Sequence, residues 1–300
     1  MIVARVPATS ANLGAGFDCL GLALGLHNDV ALIPEGPFRV EITGEGADSL
    51  PRDRANLVAR TVYRFFDTLG RAVPPFSLRM TNRIPMTGGL GSSSTAIVGG
   101  LLAANHLAGE PLNREQLLRL AVDIEGHPDN VAPAMLGGLV LSVVQERHLT
   151  TVQVPVPAGL GAVLFLPGFT ISTREARRRL PPRVPFGDAV FNVSRSALFV
   201  AAMTTGRLEL LRIATQDRLH QPYRQVLFPT MPRLFEAALD AGALGVWLSG
   251  AGSALMALVD GEPGPVIEAF NHAARANGVA GHAIAVDLAT SGAAILEPGD

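Results

Sequence analysis

The sequence predicts an α+β fold in two parts. In the first part, residues 38–42 and 76–80 alternate apolar and polar side chains, as half-buried strands do, and an apolar helical face lies between them at residues 57–69. The second part is predicted to run strand, helices, two strands, helix, strand, an order typical of helices packed on an antiparallel sheet. Because the composition changes between the parts, we expect an N-terminal domain over residues 1–150 and a C-terminal domain over residues 151–300.

Local signals predict the other elements of the first half. Residues 2–6 are predicted to form a short strand that ends at a proline, and residues 137–144 to form another strand. Asn113, followed three residues later by Gln116, resembles a capping box and is expected to open a helix. That helix is expected to end in a turn at residues 123–133, rich in acidic, imidazole and amide side chains, with a plain capped loop as the alternative.

Apolar runs predict the strands and helices of the second half. The strands are expected at residues 162–166, 245–248, 254–259 and 282–286. The helices are expected at residues 191–202, 208–214, 231–241 and 266–276. A loop of small residues, Ser249–Ser253, separates the second and third of these strands.

Composition excludes several classes of protein. The net charge of -2 provides no electrostatic basis for binding nucleic acid or an anionic membrane. The single cysteine, Cys19, excludes an internal disulfide and a cysteine-based metal cluster. The N-terminal residues lack the basic and long apolar regions of a signal peptide, and no apolar run is long enough to span a bilayer. We therefore expect a cytoplasmic protein without nucleic-acid or membrane partners.

The chain contains no lysine, so all 24 of its basic residues are arginine. A Walker A loop, a protein kinase and a pyridoxal enzyme each need a lysine in their site. These three classes are therefore excluded. If the protein handles ATP, it must bind it with loop amides, hydroxyl groups, a metal ion and arginine.

The stretch Pro85–Thr95 is the most distinctive loop of the chain. Its glycines, Gly88, Gly89 and Gly91, allow the backbone to turn tightly and to approach a ligand closely, and three serines then begin a predicted helix. A helix N-terminus presents unpaired N–H groups and the positive end of the helix dipole, which favour an anion such as phosphate. We interpret the stretch as a phosphate-binding loop, with an ordinary glycine-rich turn capped by serine as the alternative.

Two more loops of small residues accompany it, at residues 10–18 and 248–253. The glycines at residues 14–16 and 89–91 lack the third glycine of the dinucleotide-binding fingerprint, which excludes that class. Together and in this order, the three loops resemble the three motifs of the GHMP small-molecule kinases. Residues 12–18 of the first loop, together with residues 126–134, resemble the homoserine kinases within that superfamily.

This resemblance implies the fold and the assembly. The fold would be that of the GHMP kinases, with an N-terminal α/β domain like ribosomal protein S5 and a C-terminal ferredoxin-like α+β sandwich. The protein would be a homodimer. Ser94 and Thr95 stand where alanines are usual and Ala15 stands where proline is common, so we expect altered packing but retained phosphate binding.

The resemblance also implies ATP as a substrate and Mg²⁺ as its metal. Magnesium prefers oxygen ligands, and the implied protein ligands are Ser92 and Glu125, with Asp123 as the alternative acid. Asn56 would lie in the adenine pocket, although a helix start is the alternative explanation for it. The loop around the phosphates would consist of Pro85, Met86, Thr87, Gly88, Gly89, Leu90, Gly91, Ser92, Ser93, Ser94 and Thr95.

The implied reaction is the ATP-dependent phosphorylation of the side-chain hydroxyl of L-homoserine to O-phospho-L-homoserine in threonine biosynthesis. The ammonium of this substrate requires acid and amide oxygens, which Asp18 and Asn12 offer, although either side chain could instead cap its loop. The carboxylate requires arginine forks, and correspondence with the family selects Arg177 and Arg224. The neighbouring arginines, Arg178 and Arg179, are interpreted as solvated charges. The other implied substrate contacts are His127, Asn130, Thr173 and Gly250.

Two mechanisms and three functions remain open at this point. Phosphoryl transfer depends mainly on positioning and charge stabilisation, so we expect Asn130 to orient the hydroxyl, Glu125 to hold the metal and the loop amides to neutralise charge. His127 as a general base is the alternative. Another GHMP kinase, acting on mevalonate or a diphosphocytidyl polyol, is one alternative function, and a non-catalytic ligand-binding relative is the other.

Overall fold

The computed structural model describes residues 1–86, 88–146 and 148–297, in which two sheets carry helices packed against them. The first sheet contains seven strands. They are β1 (Ile2–Ala11), β2 (Leu20–Pro34), β3 (Val40–Gly44), β4 (Phe76–Asn82), β5 (Leu139–Gln145), β6 (His148–Val154) and β11 (Ala294–Ile295). The second sheet contains four strands, namely β7 (Leu160–Pro167), β8 (Gly245–Leu248), β9 (Leu255–Asp260) and β10 (Gly281–Val286).

The order of the strands brings distant segments together. In the first sheet the order is β11-β1-β2-β4-β3, and β5 joins β2 to β6 beyond the end of the β2–β4 pairing. Only β3 and β4 pair in parallel among the described strands. The second sheet has the order β10-β7-β9-β8 and is antiparallel throughout. The predicted α+β fold is confirmed.

Ten α-helices lie in the described residues. They are α1 (Leu57–Thr68), α2 (Ser92–Leu107), α3 (Arg114–Glu125), α4 (Pro128–Leu136), α5 (Thr173–Arg178), α6 (Phe186–Thr205), α7 (Leu211–Ala214), α8 (Gln221–Arg224), α9 (Met231–Asp240) and α10 (Gly264–Ala276). None of the described helices is long and apolar enough to cross a membrane.

Local sequence signals account for the helix ends near the site. Asn56 caps α1 by accepting a hydrogen bond from the Val58 amide. Asn113 and Gln116 form both hydrogen bonds of the predicted capping box at the start of α3. At the start of α2, Gly91 has a φ of 67°, in the left-handed region that favours glycine.

The structure corrects two expectations for the first half and adds two strands to it. The strand expected to end at Pro7 instead continues to Ala11, because a shift in register between Pro7 and Ala8 accommodates the proline within the pairing with β2. The turn expected through residue 133 is a helix from Pro128 onwards, since proline suits the first position of a helix. Strands β2 and β6 were not predicted.

The two sheets divide along the chain between β6 and β7, apart from β11. The first sheet ends with β6 at Val154, and the second begins with β7 at Leu160. Strand β6 therefore crosses the division expected at residue 150, and β11 returns from the end of the chain to pair with β1. The domain boundaries at residues 1–150 and 151–300 stay a prediction.

An ion-pair cluster links β1, β2 and the residue that follows β4. Asp29 accepts two hydrogen bonds from Arg5, at 2.8 and 3.0 Å, and one from Arg83 at 2.9 Å. Burial alone would raise the pKa of Asp29, but these hydrogen bonds and the two positive charges outweigh burial and leave that pKa below its ordinary value.

Candidate active site

One cavity receives residues from all three small-residue loops. Its volume is about 210 Å³. Its walls contain these expected residues: Asn12, Asp18, Pro85, Met86, Gly88, Gly89, Leu90, Gly91, Ser92, Ser93, Glu125, His127, Asn130, Thr173, Arg177, Arg224 and Gly250. Of the remaining expected residues, Thr87 lies outside the described residues, while Asn56 and Thr95 line a neighbouring cavity.

The second and third loops pack directly on each other. The Ser249 hydroxyl donates to the Gly89 carbonyl at 2.5 Å and lies 2.8 Å from the Ser10 hydroxyl of the first loop. A Cβ at Gly89 would lie 2.2 Å from the Ser249 carbonyl oxygen, far inside van der Waals contact. Because φ at Gly89 is 82°, the glycine is needed both for its conformation and for this close approach.

The N-terminus of α2 faces the carboxylate of Glu125. Ser93 donates its hydroxyl to both oxygens of Glu125, at 2.8 and 3.0 Å, and Ser94 donates to one of them at 3.0 Å. Ser92, the expected hydroxyl partner, also lines the cavity, but the hydroxyls that the structure places on Glu125 are those of Ser93 and Ser94. Carboxylate and hydroxyl oxygens are a donor set that suits Mg²⁺.

Asp123, the alternative acid, points elsewhere. It pairs with Arg119 one helical turn away, at 3.1 Å, and its side chain is 49% exposed. It lines a groove between α1 and α3 rather than the cavity of the three loops. The geometry therefore favours Glu125 as the acid that faces the loop.

His127, Asp129 and Asn130 form a connected group at the start of α4. The Nδ1 atom of His127 lies 2.9 Å from Oδ1 of Asp129. Burial lowers the pKa of His127, but the hydrogen bond and charge of Asp129, with the charge of Glu125, raise it above its ordinary value.

The orientation of the Asn130 amide depends on a buried hydroxyl. Thr9 is fully buried and its Oγ1 donates to Oδ1 of Asn130 at 2.9 Å. The amide nitrogen of Asn130 lies on the side of Asp129, 3.5 Å from Oδ1. The opposite orientation would place the amide oxygen against a carboxylate, so Asp129 selects this orientation, and the Thr9 hydroxyl, which can donate or accept, then holds the amide oxygen in place.

Asp18 and Arg177 form an ion pair in the wall of the cavity. Two hydrogen bonds, of 3.0 and 2.8 Å, join the guanidinium to the two carboxylate oxygens. The guanidinium of Arg177 packs over the face of the Phe17 ring, with its carbon atom 5.8 Å from the ring centroid. The structure thus joins the acid expected to bind an ammonium and one arginine expected to bind a carboxylate.

Arg224 is a buried cation without a direct ion pair among the described residues. Only 2% of it is exposed, and its Nη1 atom donates to the Gly250 carbonyl at 2.8 Å and to His220 at 3.2 Å. Its Nε atom is buried without a hydrogen-bond partner in the structure. Burial, followed by the charge of Arg177, lowers the pKa of Arg224 to about 10. A buried guanidinium with an unused donor is suited to bind an anion.

The Gly250 carbonyl also holds the first loop. Asn12 donates its amide N–H to this carbonyl at 2.8 Å, and its amide oxygen accepts the backbone N–H of Asp18 at 3.0 Å. Asn12 has a φ of 71°, a conformation that asparagine tolerates better than most residues. The proposed capping role of Asn12 is therefore present, and the side chain lies in the cavity wall as well.

A second cavity opens beside the phosphate loop. It shares Met86, Ser92 and Ser93 with the first cavity. Its other walls are mainly apolar and include Val30, Leu50, Pro51, Leu57, Met80 and Ala96. Asn56 lines it too, but the amide of Asn56 is engaged by Val58 and by the Pro51 carbonyl at 2.8 Å. The helix-start explanation of Asn56 is confirmed, and contact with adenine stays a prediction.

Sequence reasoning missed several residues of this region. Thr9 was given no role, because its contact with Asn130 arises only where α4 packs against β1. Asp129 stood within the expected turn but was given no role. His220 was given no role, because the stacking of its ring on Phe17, with centroids 5.1 Å apart, arises only from tertiary contact.

Comparison with known proteins gives matches along the whole chain. Residues 56–138 match the model of the GHMP kinases N terminal domain, and residues 199–276 match that of the GHMP kinases C terminal domain. A homoserine kinase of Caldicellulosiruptor bescii is 48% identical over 87% of this chain and 85% of its own length. A homoserine kinase of Desulfitobacterium hafniense is 42% identical over 99% of this chain and 100% of its own length.

Solved structures agree with these matches. The crystal structure of homoserine kinase from Cytophaga hutchinsonii has a TM-score of 0.89 and 32% identity, covering 98% of this chain and 97% of that chain. Mevalonate kinase of L. major has a TM-score of 0.68 at 15% identity, covering 93% of this chain and 94% of its own, which is a likeness of fold alone.

Proposed function

The chain belongs to the homoserine kinases of the GHMP kinase superfamily, and we propose that its site transfers the γ-phosphoryl group of ATP to the side-chain hydroxyl of L-homoserine. The product is O-phospho-L-homoserine, an intermediate of threonine biosynthesis. The observation that carries the proposal is the buried Arg224 with its unused Nε donor, in the same cavity as the glycine loop, Asp18 and Arg177.

The charges of the cavity suit an amino acid. Arg224 and Arg177 offer guanidinium groups for a carboxylate, while Asp18 and the amide oxygen of Asn12 offer acceptors for an ammonium. A zwitterion supplies both partners at once, so the internal pair of Asp18 and Arg177 can be exchanged for two substrate contacts. Mevalonate has a carboxylate but no ammonium, and it would leave Asp18 without a cationic partner.

The loop and its neighbours suit ATP. The Pro85–Thr95 loop would bind the phosphates through its amides and the N-terminus of α2, and the apolar second cavity beside Met86 would hold the adenine. Glu125, with hydroxyls of Ser92–Ser94, would supply the oxygen donors for Mg²⁺, which would neutralise charge on the phosphates. Ser92 and Ser93 are both candidates for the hydroxyl ligand.

The remaining residues position the acceptor. Thr173, at the first turn of α5, and Gly250 would lie against the bound amino acid, and the hydroxyl would lie near His127 and Asn130. We propose that the Asn130 amide, oriented by Thr9, donates to the hydroxyl oxygen and aligns it for attack on the γ-phosphorus. A general base at His127 is the alternative, and a His127→Ala variant that keeps most of its kcat would exclude it.

An ADP-release assay tests the function. L-homoserine, mevalonate and galactose are offered in parallel, and turnover is expected with L-homoserine. Turnover with another of these substrates but none with L-homoserine would overturn the assignment. Absence of turnover with all of them would favour the non-catalytic alternative.

Location and assembly complete the proposal. We place the protein in the cytoplasm and propose that it acts as a homodimer, as its resemblance to the family implies. Light scattering at the working concentration measures the mass, and a mass of one chain would contradict the dimer.

A further inference from the structure

The guanidinium of Arg224 is hydrogen-bonded to a histidine side chain rather than to a carboxylate. Nδ1 of His220 lies 3.2 Å from Nη1 of Arg224, and Nε2 of the same ring lies 2.8 Å from the Gly14 carbonyl oxygen. A guanidinium only donates and a carbonyl oxygen only accepts. The contacts therefore require a neutral ring with its hydrogen on Nε2 and its lone pair on Nδ1.

The surroundings of His220 stabilise this state. The ring is fully buried and stacks on Phe17, with 26° between the two planes. Burial, as the largest cause, lowers the pKa of His220 and keeps the imidazole neutral. The charge of Asp217 raises this pKa, but it is outweighed by burial together with Arg224, since a second cation beside a guanidinium is unfavourable.

Asp217 fixes the backbone that carries His220. Its carboxylate accepts hydrogen bonds from the amides of residues 219, 220 and 221, at 2.9, 3.0 and 2.7 Å, and from the Asn192 side chain at 2.7 Å. One of its oxygens lies 3.5 Å from Nε2 of His220. The side chains of Asp217 and His220 are both fully buried. The imidazole thus separates this carboxylate from Arg224.

Because the imidazole of His220 is neutral, its contact with Arg224 differs from a direct ion pair. A carboxylate bonded to Arg224 would neutralise its charge and occupy its fork, as Asp18 does for Arg177. An imidazole lone pair fixes one N–H of the guanidinium without itself neutralising the charge. The Nε donor of Arg224 also stays unused.

We propose that His220 is the positioning residue that holds Arg224 in place to bind the carboxylate of the amino-acid substrate. This inference rests on the proposed function, because it assigns a role within recognition of the acceptor. His220 touches neither the substrate nor the phosphates in this account. Its contribution is to the strength with which a carboxylate is bound.

Two conservative substitutions of His220 test the contributions of its two ring nitrogens separately. In His220→Asn the amide oxygen can take the place of Nδ1 and accept from Arg224, whereas in His220→Gln the longer side chain reaches towards the Gly14 carbonyl. The KM for L-homoserine is expected to rise by about tenfold or more in His220→Gln, the effect of losing one hydrogen bond to a charged group. His220→Asn is expected to stay within about threefold of the wild type.

A ligand without a carboxylate distinguishes positioning from general damage. The probe is 3-aminopropan-1-ol, which has the ammonium and hydroxyl of L-homoserine only. Its inhibition constant against L-homoserine, and the KM for ATP, are expected to stay the same in both variants. If both ligands weaken by the same factor, or if His220→Gln leaves the KM for L-homoserine unchanged, the inference is wrong.

The wild type separates this failure from failure of the proposed function. If the wild type does not phosphorylate L-homoserine, or binds it no better than 3-aminopropan-1-ol, carboxylate recognition itself is wrong. If the wild type behaves as expected but the variants do not, the proposed function is retained and the role proposed for His220 is wrong. Should His220→Gln fail to fold, a His220→Asn variant that loses L-homoserine binding would overturn the inference equally well.

Discussion

Arg177 donates two hydrogen bonds, of 3.0 and 2.8 Å, to the two carboxylate oxygens of Asp18 from a position 159 residues further along the chain. Each of these side chains is about a third exposed to the cavity, at 37% for Arg177 and 35% for Asp18. A ligand that separates them must offer a charge of each sign. The pair therefore selects against ligands with a single charge.

Removing the guanidinium of this pair should weaken binding of the acceptor. In Arg177→Gln, the KM for L-homoserine is expected to rise by about tenfold or more, because charge-assisted hydrogen bonds to the carboxylate are lost. The KM for ATP should change little. Arg178→Gln is the matched control, since Arg178 is exposed on the same helix. Steady-state kinetics decide the matter, and equal effects of the two substitutions would contradict the assignment.

Neutralising Glu125 should raise the Mg²⁺ requirement. Glutamine keeps the shape of the side chain but loses the charge that attracts a divalent cation, so the Mg²⁺ concentration for half-maximal rate is expected to rise by about tenfold or more in Glu125→Gln. Asp123→Asn is the control, because Asp123 pairs with Arg119 outside the cavity. A Mg²⁺ titration of both variants measures this. A shift in Asp123→Asn alone would move the role to Asp123.

The hydroxyl of Thr9 is expected to contribute more to kcat than its methyl group. Thr9→Val removes the hydrogen bond to Asn130 at nearly constant volume, and kcat is expected to fall by about tenfold because the amide can then rotate. Thr9→Ser keeps the hydroxyl and is expected to restore most of kcat. Stopped assays at saturating substrates give both values. Equal kcat in Thr9→Val and the wild type would show that Asn130 needs no such support.

Glycine 89 offers a test of the contact between the second and third loops. Gly89 and Gly109 share a φ of 82°, but only at Gly89 would a Cβ clash, 2.2 Å from the Ser249 carbonyl oxygen. Gly89→Ala is expected to raise the KM for ATP by about tenfold or more as the loop is displaced. Gly109→Ala should cost only about 1–2 kcal/mol of unfolding free energy from its backbone conformation, without loss of activity. Similar ATP kinetics in both variants would be evidence against loop packing.

The charge of Asp29 predicts how stability depends on pH. Its pKa is lower in the folded state, so its contribution to the free energy of unfolding is present above the unfolded pKa of about 3.9 and is lost as the pH falls through the folded value. Asp29→Asn is expected to lower the free energy of unfolding at pH 7 by about 1 kcal/mol, since the arginine partners are partly solvated. The loss relative to the wild type should shrink below pH 4.

Urea unfolding at several pH values tests this expectation. The control is Asp67→Asn, because Asp67 pairs with Arg64 at 3.2 Å but is 73% exposed, where an ion pair contributes little. An equal loss of stability in the two variants, or a loss in Asp29→Asn that is independent of pH, would contradict the role of the Asp29 cluster.

Several parts of the site could be predicted because they are encoded in short stretches. The capping box at Asn113 needs only residues three apart, and the start of α2 follows from the glycines and serines of one loop. Strand β2 was missed because it follows the glycine-rich first loop and its two faces are largely buried, which hides the alternation of apolar and polar side chains. The hydroxyls placed on Glu125 belong to Ser93 and Ser94, since the rotation of α2 relative to the end of α3 selects them.

By itself, the sequence determined the fold class, the phosphate loop, the absence of lysine-based ATP chemistry and the resemblance to a kinase family. These follow from periodicity, from backbone freedom at glycine and from residue types within short segments. Only the tertiary structure decided that Thr9 orients Asn130, that Asp18 and Arg177 pair, and that His220 stands between Asp217 and Arg224. Such contacts depend on the folding of distant segments against one another, where burial gives each hydrogen bond and each charge its effect.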